Sequence, residues 1–144
     1  MSQPVAYWDS SALVPLCVPQ SQSIRAGVLY ESYEVVTWWA TKVEMISGLT
    51  RLERMGQISH VQFLHGKQLA GEIVRDWVSV GSSASIAPDA CALLEAHPLR
   101  AADALQLAAA FEACDHKPLG YVFVTADQRQ AEAARQSGFS VELV

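Results

Sequence analysis

Short apolar runs alternate along this chain with longer segments in which apolar residues recur at helical spacing. The clearest run, 121–125, reads Tyr-Val-Phe-Val-Thr and consists only of residues that favour strands. Other short runs of this kind predict strands at 4–8, 34–37 and 140–144, with a brief one at 85–87. The chain is therefore expected to form a sheet whose strands are separated by helical segments.

The segments between these runs have the spacing of amphipathic helices. In the segment 41–55, Met45, Leu49 and Leu52 recur at i, i+4 and i+7, and Gly56 ends the helix. A short helix from Ser10 is expected to break among the prolines at 15–19. Further helices are predicted at 21–30 capped by Ser21, 59–80 capped by Ser59, 89–96, 99–114 and 127–136.

Apolar strands that alternate with helices predict an α/β fold with a central parallel sheet covered on both faces. The length of 144 residues and the 51% hydrophobic content suit a single domain over 1–144 with one sizeable core. Right-handed crossovers bring the carboxyl ends of the strands to one edge of such a sheet. Ligands of open α/β sheets bind in the crevice at that edge.

Composition limits the classes of function. The three scattered cysteines form no C-x-x-C pair, which argues against a disulfide framework or a zinc site and suits a reducing cytoplasm. No signal peptide and no membrane-spanning run is indicated. The formal net charge of −5 disfavours a general nucleic-acid coat protein, but it is compatible with an enzyme that has an acidic metal centre.

One carboxylate stands out because of its surroundings. The segment 99–110 reads Leu-Arg-Ala-Ala-Asp-Ala-Leu-Gln-Leu-Ala-Ala-Ala and predicts a buried helix with Asp103 in its first turns. A carboxylate among so many apolar neighbours is costly to bury without a partner. Within this segment only Arg100 carries a positive charge.

Three further acids are expected at the same edge of the sheet. Asp9 ends the first strand, Asp127 follows the fourth, and Glu44 lies in the first turn of a helix after the second. Four clustered carboxylates repel one another and raise their pKa values unless a cation joins them. Mg²⁺ or Mn²⁺ prefers such oxygen ligands and can activate water for hydrolysis of a phosphodiester.

Neighbouring polar residues extend this candidate site. Ser11 and Thr125 adjoin two of the acids and could orient them or hold water. Three cations, Arg100, Lys42 and Arg129, are expected nearest the acidic edge and could contact phosphates. The pair Trp38-Trp39 could stack on bases or divide between the core and an interface.

Each acid also has a purely structural explanation that the sequence leaves open. Glu44 could close a capping box with Thr41, and Asp103 could form a buried pair with Arg100. The two acids that follow strands could simply cap the next helices.

The residues Tyr7–Val14, Glu44, Leu99–Ala108 and Phe123–Asp127 together resemble the PIN-domain family, and within it the VapC-type toxin ribonucleases. The resemblance implies a three-layer fold and an Mg²⁺- or Mn²⁺-dependent endoribonuclease. It makes Asp9 and Asp103 the first metal ligands, with Glu44 and Asp127 completing the site and Thr125 beside the last acid.

The same resemblance implies a homodimer, an RNA substrate and inhibition by a cognate antitoxin protein. The chain departs from the family at Gln106, where a histidine is frequent, and we expect this change to be neutral. The acidic net charge leaves few cations to bind RNA.

Other functions remain as alternatives. A non-toxin PIN nuclease, or a PIN module that binds RNA or a partner without cutting, would share the fold. A receiver-type signalling module needs an acid pair after the first strand and a lysine near the last strands, whereas Asp9 is followed by serines and Lys117 precedes the 121–125 run. The chain contains no glycine-rich nucleotide-binding motif.

Overall fold

The computed structural model describes residues 2–144, which form one five-stranded sheet with helices on both sides. All strand pairs are parallel, and the strand order is β3-β2-β1-β4-β5. The strands are β1 (Val5–Trp8), β2 (Glu34–Trp38), β3 (Val78–Val80), β4 (Val122–Thr125) and β5 (Ser140–Leu143). The seven helices are α1 (Ser10–Cys17), α2 (Ser23–Ser32), α3 (Ala40–Arg54), α4 (His60–Asp76), α5 (Ile86–Ala96), α6 (Ala101–Ala113) and α7 (Gln128–Gln136).

Alternation along the strands divides the core into two layers. On β1, Ala6 and Trp8 pack into an apolar cluster with residues of α1 to α4, while Tyr7 packs into a second cluster with residues of α5 to α7. Four of the six buried side chains of α6 are alanines. The predicted α/β class, with a parallel sheet between two layers of helices, is confirmed.

The strand order creates a switch point between β1 and β4. The chain runs outward from β1 to β2 and β3, and then returns to the other side of β1 with β4. The ends of β1 and β4 lie level, since Trp8 pairs with Val124 and the Asp9 N–H donates to the Val124 carbonyl at 3.0 Å. A crevice at the carboxyl ends of two such strands is the usual ligand site of an open α/β sheet.

Three details of the predicted elements are wrong. The helix predicted at 59–80 ends at Asp76, because extended backbone at Trp77 leads into β3, whose Val80 pairs with Trp38. Conversely, the strand predicted at 85–87 is the start of α5, with Pro88 in its first turn, where a missing N–H costs little.

Ser21 does not cap the next helix either. That helix, α2, begins two residues later than predicted, with Gln22 at the N-cap position. No helix among residues 2–144 is long and apolar enough to cross a membrane.

Candidate metal centre

A cleft of about 660 Å³ opens at the carboxyl ends of β1 and β4, at the switch point of the sheet. Its walls come from the start of α1, from α3, from the loop before α6 and the first turn of that helix, and from the start of α7. All four acids singled out in the sequence line it: Asp9, Glu44, Asp103 and Asp127.

Asp9 is the most buried of these acids, with 3% of its surface exposed. Its Oδ2 accepts the backbone N–H of Ser11 at 3.1 Å, which caps α1, and also accepts the Ser11 hydroxyl. Burial raises the pKa of Asp9, the hydrogen bonds from Ser11 and Gln130 partly oppose this rise, and the charge of Asp127 adds to it. Asp9 is therefore a helix cap that also carries a poorly solvated carboxylate into the cleft.

Glu44 does not form the capping box that its spacing from Thr41 allowed. The helix begins at Ala40, and its N-cap makes no side-chain hydrogen bond. Glu44 Oε2 instead accepts the side-chain amide of Gln106 at 2.6 Å, and Oε1 accepts the Ser10 hydroxyl at 3.3 Å. Burial, with a further contribution from the charge of Asp9, raises the Glu44 pKa to about 7, although the Gln106 bond opposes the rise.

Asp103 lies in the first turn of α6 and is half-buried. Burial and then the charges of Asp9 and Asp127 raise its pKa to about 6, against a small opposing effect of Arg100. No ion pair joins Asp103 to Arg100 within 4.0 Å. The explanation of Asp103 as one half of a buried ion pair is therefore wrong.

Asp127 caps α7, as one of the structural explanations proposed. Its Oδ1 accepts the backbone N–H groups of Arg129 at 2.8 Å and Gln130 at 3.1 Å. Both cap bonds use this one oxygen, so Oδ2 is left for another partner. Capping and metal binding are compatible here, because a carboxylate has two oxygens.

The two polar neighbours predicted beside the acids link Asp9 to the end of β4. The Ser11 hydroxyl contacts Thr125 Oγ1 at 3.2 Å and accepts the backbone N–H of Ala126 at 2.9 Å. The buried Thr125 in turn accepts the N–H of Asp127 at 3.1 Å. These bonds fix the turn that carries Asp9 relative to the turn that carries Asp127.

Arginines, rather than lysines, line the cleft. Arg100 and Arg129 are among its lining residues, as predicted, whereas Lys42 is not. Arg51, which the sequence did not single out, takes a place on the wall because it lies two helical turns after Glu44 on α3. In the described part of the chain none of these arginines forms an ion pair with an acid.

Sequence reasoning also missed two buried glutamines behind the acids. Gln106 donates to Glu44, while Gln130 Nε2 donates to the Asp103 carbonyl at 3.2 Å and lies 3.5 Å from Asp9 Oδ1. Both side chains are fully buried. An uncharged polar residue on the apolar face of a helix is a signal for such a role, since a buried amide needs partners.

The adjacent tryptophans divide between core and surface, one of the two possibilities that the sequence left open. Trp38 is buried in the second apolar cluster, while Trp39 is 58% exposed at the start of α3.

Carboxylate oxygens are the ligands that a hard divalent cation prefers. Four carboxylates share the cleft, two have pKa values raised to about 6 and about 7, and no cationic side chain within 4.0 Å compensates them. Across residues 2–144, no three His, Cys, Asp or Glu side chains stand close enough to ligate one ion together. Mg²⁺ commonly takes only one or two carboxylates and completes its shell with water.

The raised pKa of Asp103 predicts a pH-dependent cost in stability. Since the folded protein retains this proton between about pH 3.8 and pH 6, unfolding becomes easier as pH rises through that window. Asp103→Asn removes the titration, so its stability relative to wild type should increase by about 1 kcal/mol from pH 4 to pH 7. The change in stability is only this large because Asp103 is partly exposed and its charge is favoured at a helix N-terminus. Urea unfolding of both metal-free proteins across this range measures it, and a constant difference would contradict it.

The cleft thus gathers acids from α3, α6 and the turns that follow β1 and β4. Comparison with known proteins assigns this protein to no family, because no protein-family model matches the chain and no curated protein is significantly similar to it.

Proposed function

We propose that this protein is a metal-dependent endoribonuclease that hydrolyses phosphodiester bonds of RNA with Mg²⁺ or Mn²⁺. The observation that carries the proposal is Asp9, a nearly fully buried carboxylate without a cationic partner that faces three other acids in one cleft. A purely structural cap would gain nothing from burial beside further negative charge. A divalent ion would remove that cost.

Asp9 and Asp103 would hold the ion first, with water in its remaining positions. Glu44 and Asp127 would complete the site through these waters, since no three of the acids stand close enough to ligate one ion together. When bound, the ion would lower the pKa of a water ligand and stabilise the negative charge of the phosphoryl oxygens. Hydrolysis forms a bond from the water oxygen to phosphorus and breaks one P–O ester bond, whose leaving oxygen takes up a proton and becomes a hydroxyl group.

Glu44 is suited to accept the proton of the attacking water. A carboxylate can act as a general base when it lies within hydrogen-bond reach of the attacking water. Oε2 is occupied by the 2.6 Å hydrogen bond from Gln106, whereas Oε1 has only the 3.3 Å contact from Ser10. Oε1 is therefore the atom that we expect to take the proton.

The direct test is cleavage of a long RNA by the purified protein with Mg²⁺ or Mn²⁺. Cleavage is expected in wild type, should stop when a chelator is added, and should return with excess metal. Asp103→Asn should lose the activity. Cutting that persists with chelator and in Asp103→Asn would overturn the proposal, since it would come from a different site or a contaminant.

The three arginines of the cleft are expected to bind the phosphates next to the scissile bond. Removing one such exposed contact by Arg51→Gln should raise KM about fivefold and leave kcat nearly unchanged, because about 1 kcal/mol of binding is lost. Initial rates against RNA concentration measure this effect, with Arg75→Gln on the exposed side of α4 as the control. An unchanged KM for Arg51→Gln would exclude its contact with RNA.

We also propose that the enzyme is the toxin of a toxin–antitoxin pair and works as a homodimer, on the basis of the resemblance in sequence. Two large exposed apolar side chains, Trp39 at the N-cap of α3 and Val43 on that helix, support binding of another protein chain. A neighbouring gene for a small DNA-binding protein that blocks cleavage would support the toxin role. Light scattering tests the dimer.

A further inference from the structure

A chain of hydrogen bonds connects Glu44 to the end of β1. Gln106 Nε2 donates to Glu44 Oε2 at 2.6 Å and to Thr41 Oγ1 at 2.9 Å. Thr41 Oγ1 lies 2.6 Å from Thr37 Oγ1, which donates to the Trp8 carbonyl at 2.8 Å. Trp8 directly precedes Asp9 in the sequence. This hydrogen-bond network therefore connects one predicted ligand, Glu44, to the residue before another, Asp9.

Donation along this hydrogen-bond network can run in only one direction. The amide turns its N–H₂ group toward Glu44, because an ionised carboxylate only accepts, and the Tyr7 hydroxyl donates to Gln106 Oε1 at 2.6 Å. The Thr41 hydroxyl accepts from Gln106 and is left to donate to Thr37, whose own proton goes to the Trp8 carbonyl. The hydroxyl groups and the side-chain amide of this network therefore each have a partner, which makes the arrangement rigid.

The Gln106 side chain is fully buried at the back of the cleft, and is not among the residues that line it. It cannot touch a substrate phosphate without rearrangement. Its effect on the site passes through Glu44, whose position it fixes without adding a charge. A lysine or arginine in its place would neutralise the carboxylate and weaken the attraction for a cation.

We propose that Gln106 is a positioning residue that holds the Glu44 carboxylate for metal binding, with Tyr7 fixing the direction of its amide. The inference rests on the proposed metal-dependent function and deepens it. It differs from the expectation that glutamine at position 106 is a neutral departure. Outer partners of metal ligands orient them, and losing one costs about 10–100-fold in metal affinity.

The contact itself can be tested without metal. In the ¹⁵N-edited spectrum, the Gln106 side-chain amide signals are identified as those absent from Gln106→Met. One of these amide protons should be shifted downfield in wild type by its bond to a carboxylate, and Glu44→Leu should remove that shift. Amide signals that stay unchanged in Glu44→Leu would overturn the inference whatever the metal does.

The consequence is measured by calorimetric titration with Mn²⁺. Gln106→Met keeps the length of the side chain and should bind Mn²⁺ at least tenfold more weakly than wild type. The control Gln68→Met, on the exposed face of α4, should bind as wild type does. If Gln106→Met does not fold, Tyr7→Phe removes only the bond that directs the amide and should still weaken binding about threefold.

The outcomes separate the two claims. Wild-type affinity in folded Gln106→Met, or in Tyr7→Phe when Gln106→Met does not fold, overturns the positioning role and leaves the metal site standing. Failure of wild type to bind Mn²⁺ overturns the proposed function, while the amide spectrum still decides whether Gln106 holds Glu44.

Discussion

Replacing Asp9 with Asn is expected to abolish RNA cleavage and, in the absence of metal, to stabilise the folded protein at neutral pH. Cleavage should fall at least about 10³-fold, since the lost charge removes a main metal ligand and several kcal/mol of transition-state stabilisation. Stability should rise by about 2 kcal/mol, because a buried carboxylate without a cation is unfavourable. Rates of RNA cleavage and urea unfolding of the same preparations measure both effects.

The loss of cleavage distinguishes a metal ligand from a helix cap. Asn caps a helix about as well as Asp, so a purely structural role predicts little change in activity for Asp9→Asn. Asp115→Asn, at the far end of α6 from the cleft, is the matched control and should leave cleavage unchanged. Cleavage retained in Asp9→Asn would contradict the assignment.

Adding Mn²⁺ is expected to have the second large effect. A ligand that binds only the folded state stabilises it by about 2.7 kcal/mol at 100 times its dissociation constant. For a protein of this size that corresponds to a rise in Tm of about 5–10 °C. Thermal unfolding with and without Mn²⁺ measures it, at the same ionic strength throughout.

The control for this stabilisation is again Asp9→Asn. If the ion acts through the cleft, the variant should gain little from Mn²⁺, so that its stability and that of wild type converge as metal is added. An equal gain in both proteins would mean that the ion binds elsewhere on the acidic surface.

The pattern of apolar residues was sufficient to predict the fold class, because buried parallel strands and amphipathic helices differ in length and spacing. It failed where the chain changes structure without a turn signal. The residues of β3 continue the helical pattern of α4, and only their pairing with β2 makes Val78–Val80 a strand. A three-residue edge strand depends on its neighbour, which local sequence does not contain.

The acids of the cleft could be predicted because strand ends and helix starts meet at one edge of a parallel sheet. Their partners could not, since Gln106 is 62 residues from Glu44 and 99 from Tyr7 in the chain. Arg51 was missed for a related reason. Only the direction of α3 decides that this arginine faces the cleft while Lys42 does not.

The central claim, that a divalent cation is shared by acids at the end of β1 and the start of α6, is tested most directly by anomalous diffraction from crystals grown with Mn²⁺. We predict an anomalous difference peak in the cleft, about 2.0–2.6 Å from carboxylate oxygens of Asp9 and Asp103. A fully occupied Mn²⁺ peak elsewhere on the protein surface, with no peak beside Asp9, would contradict this claim.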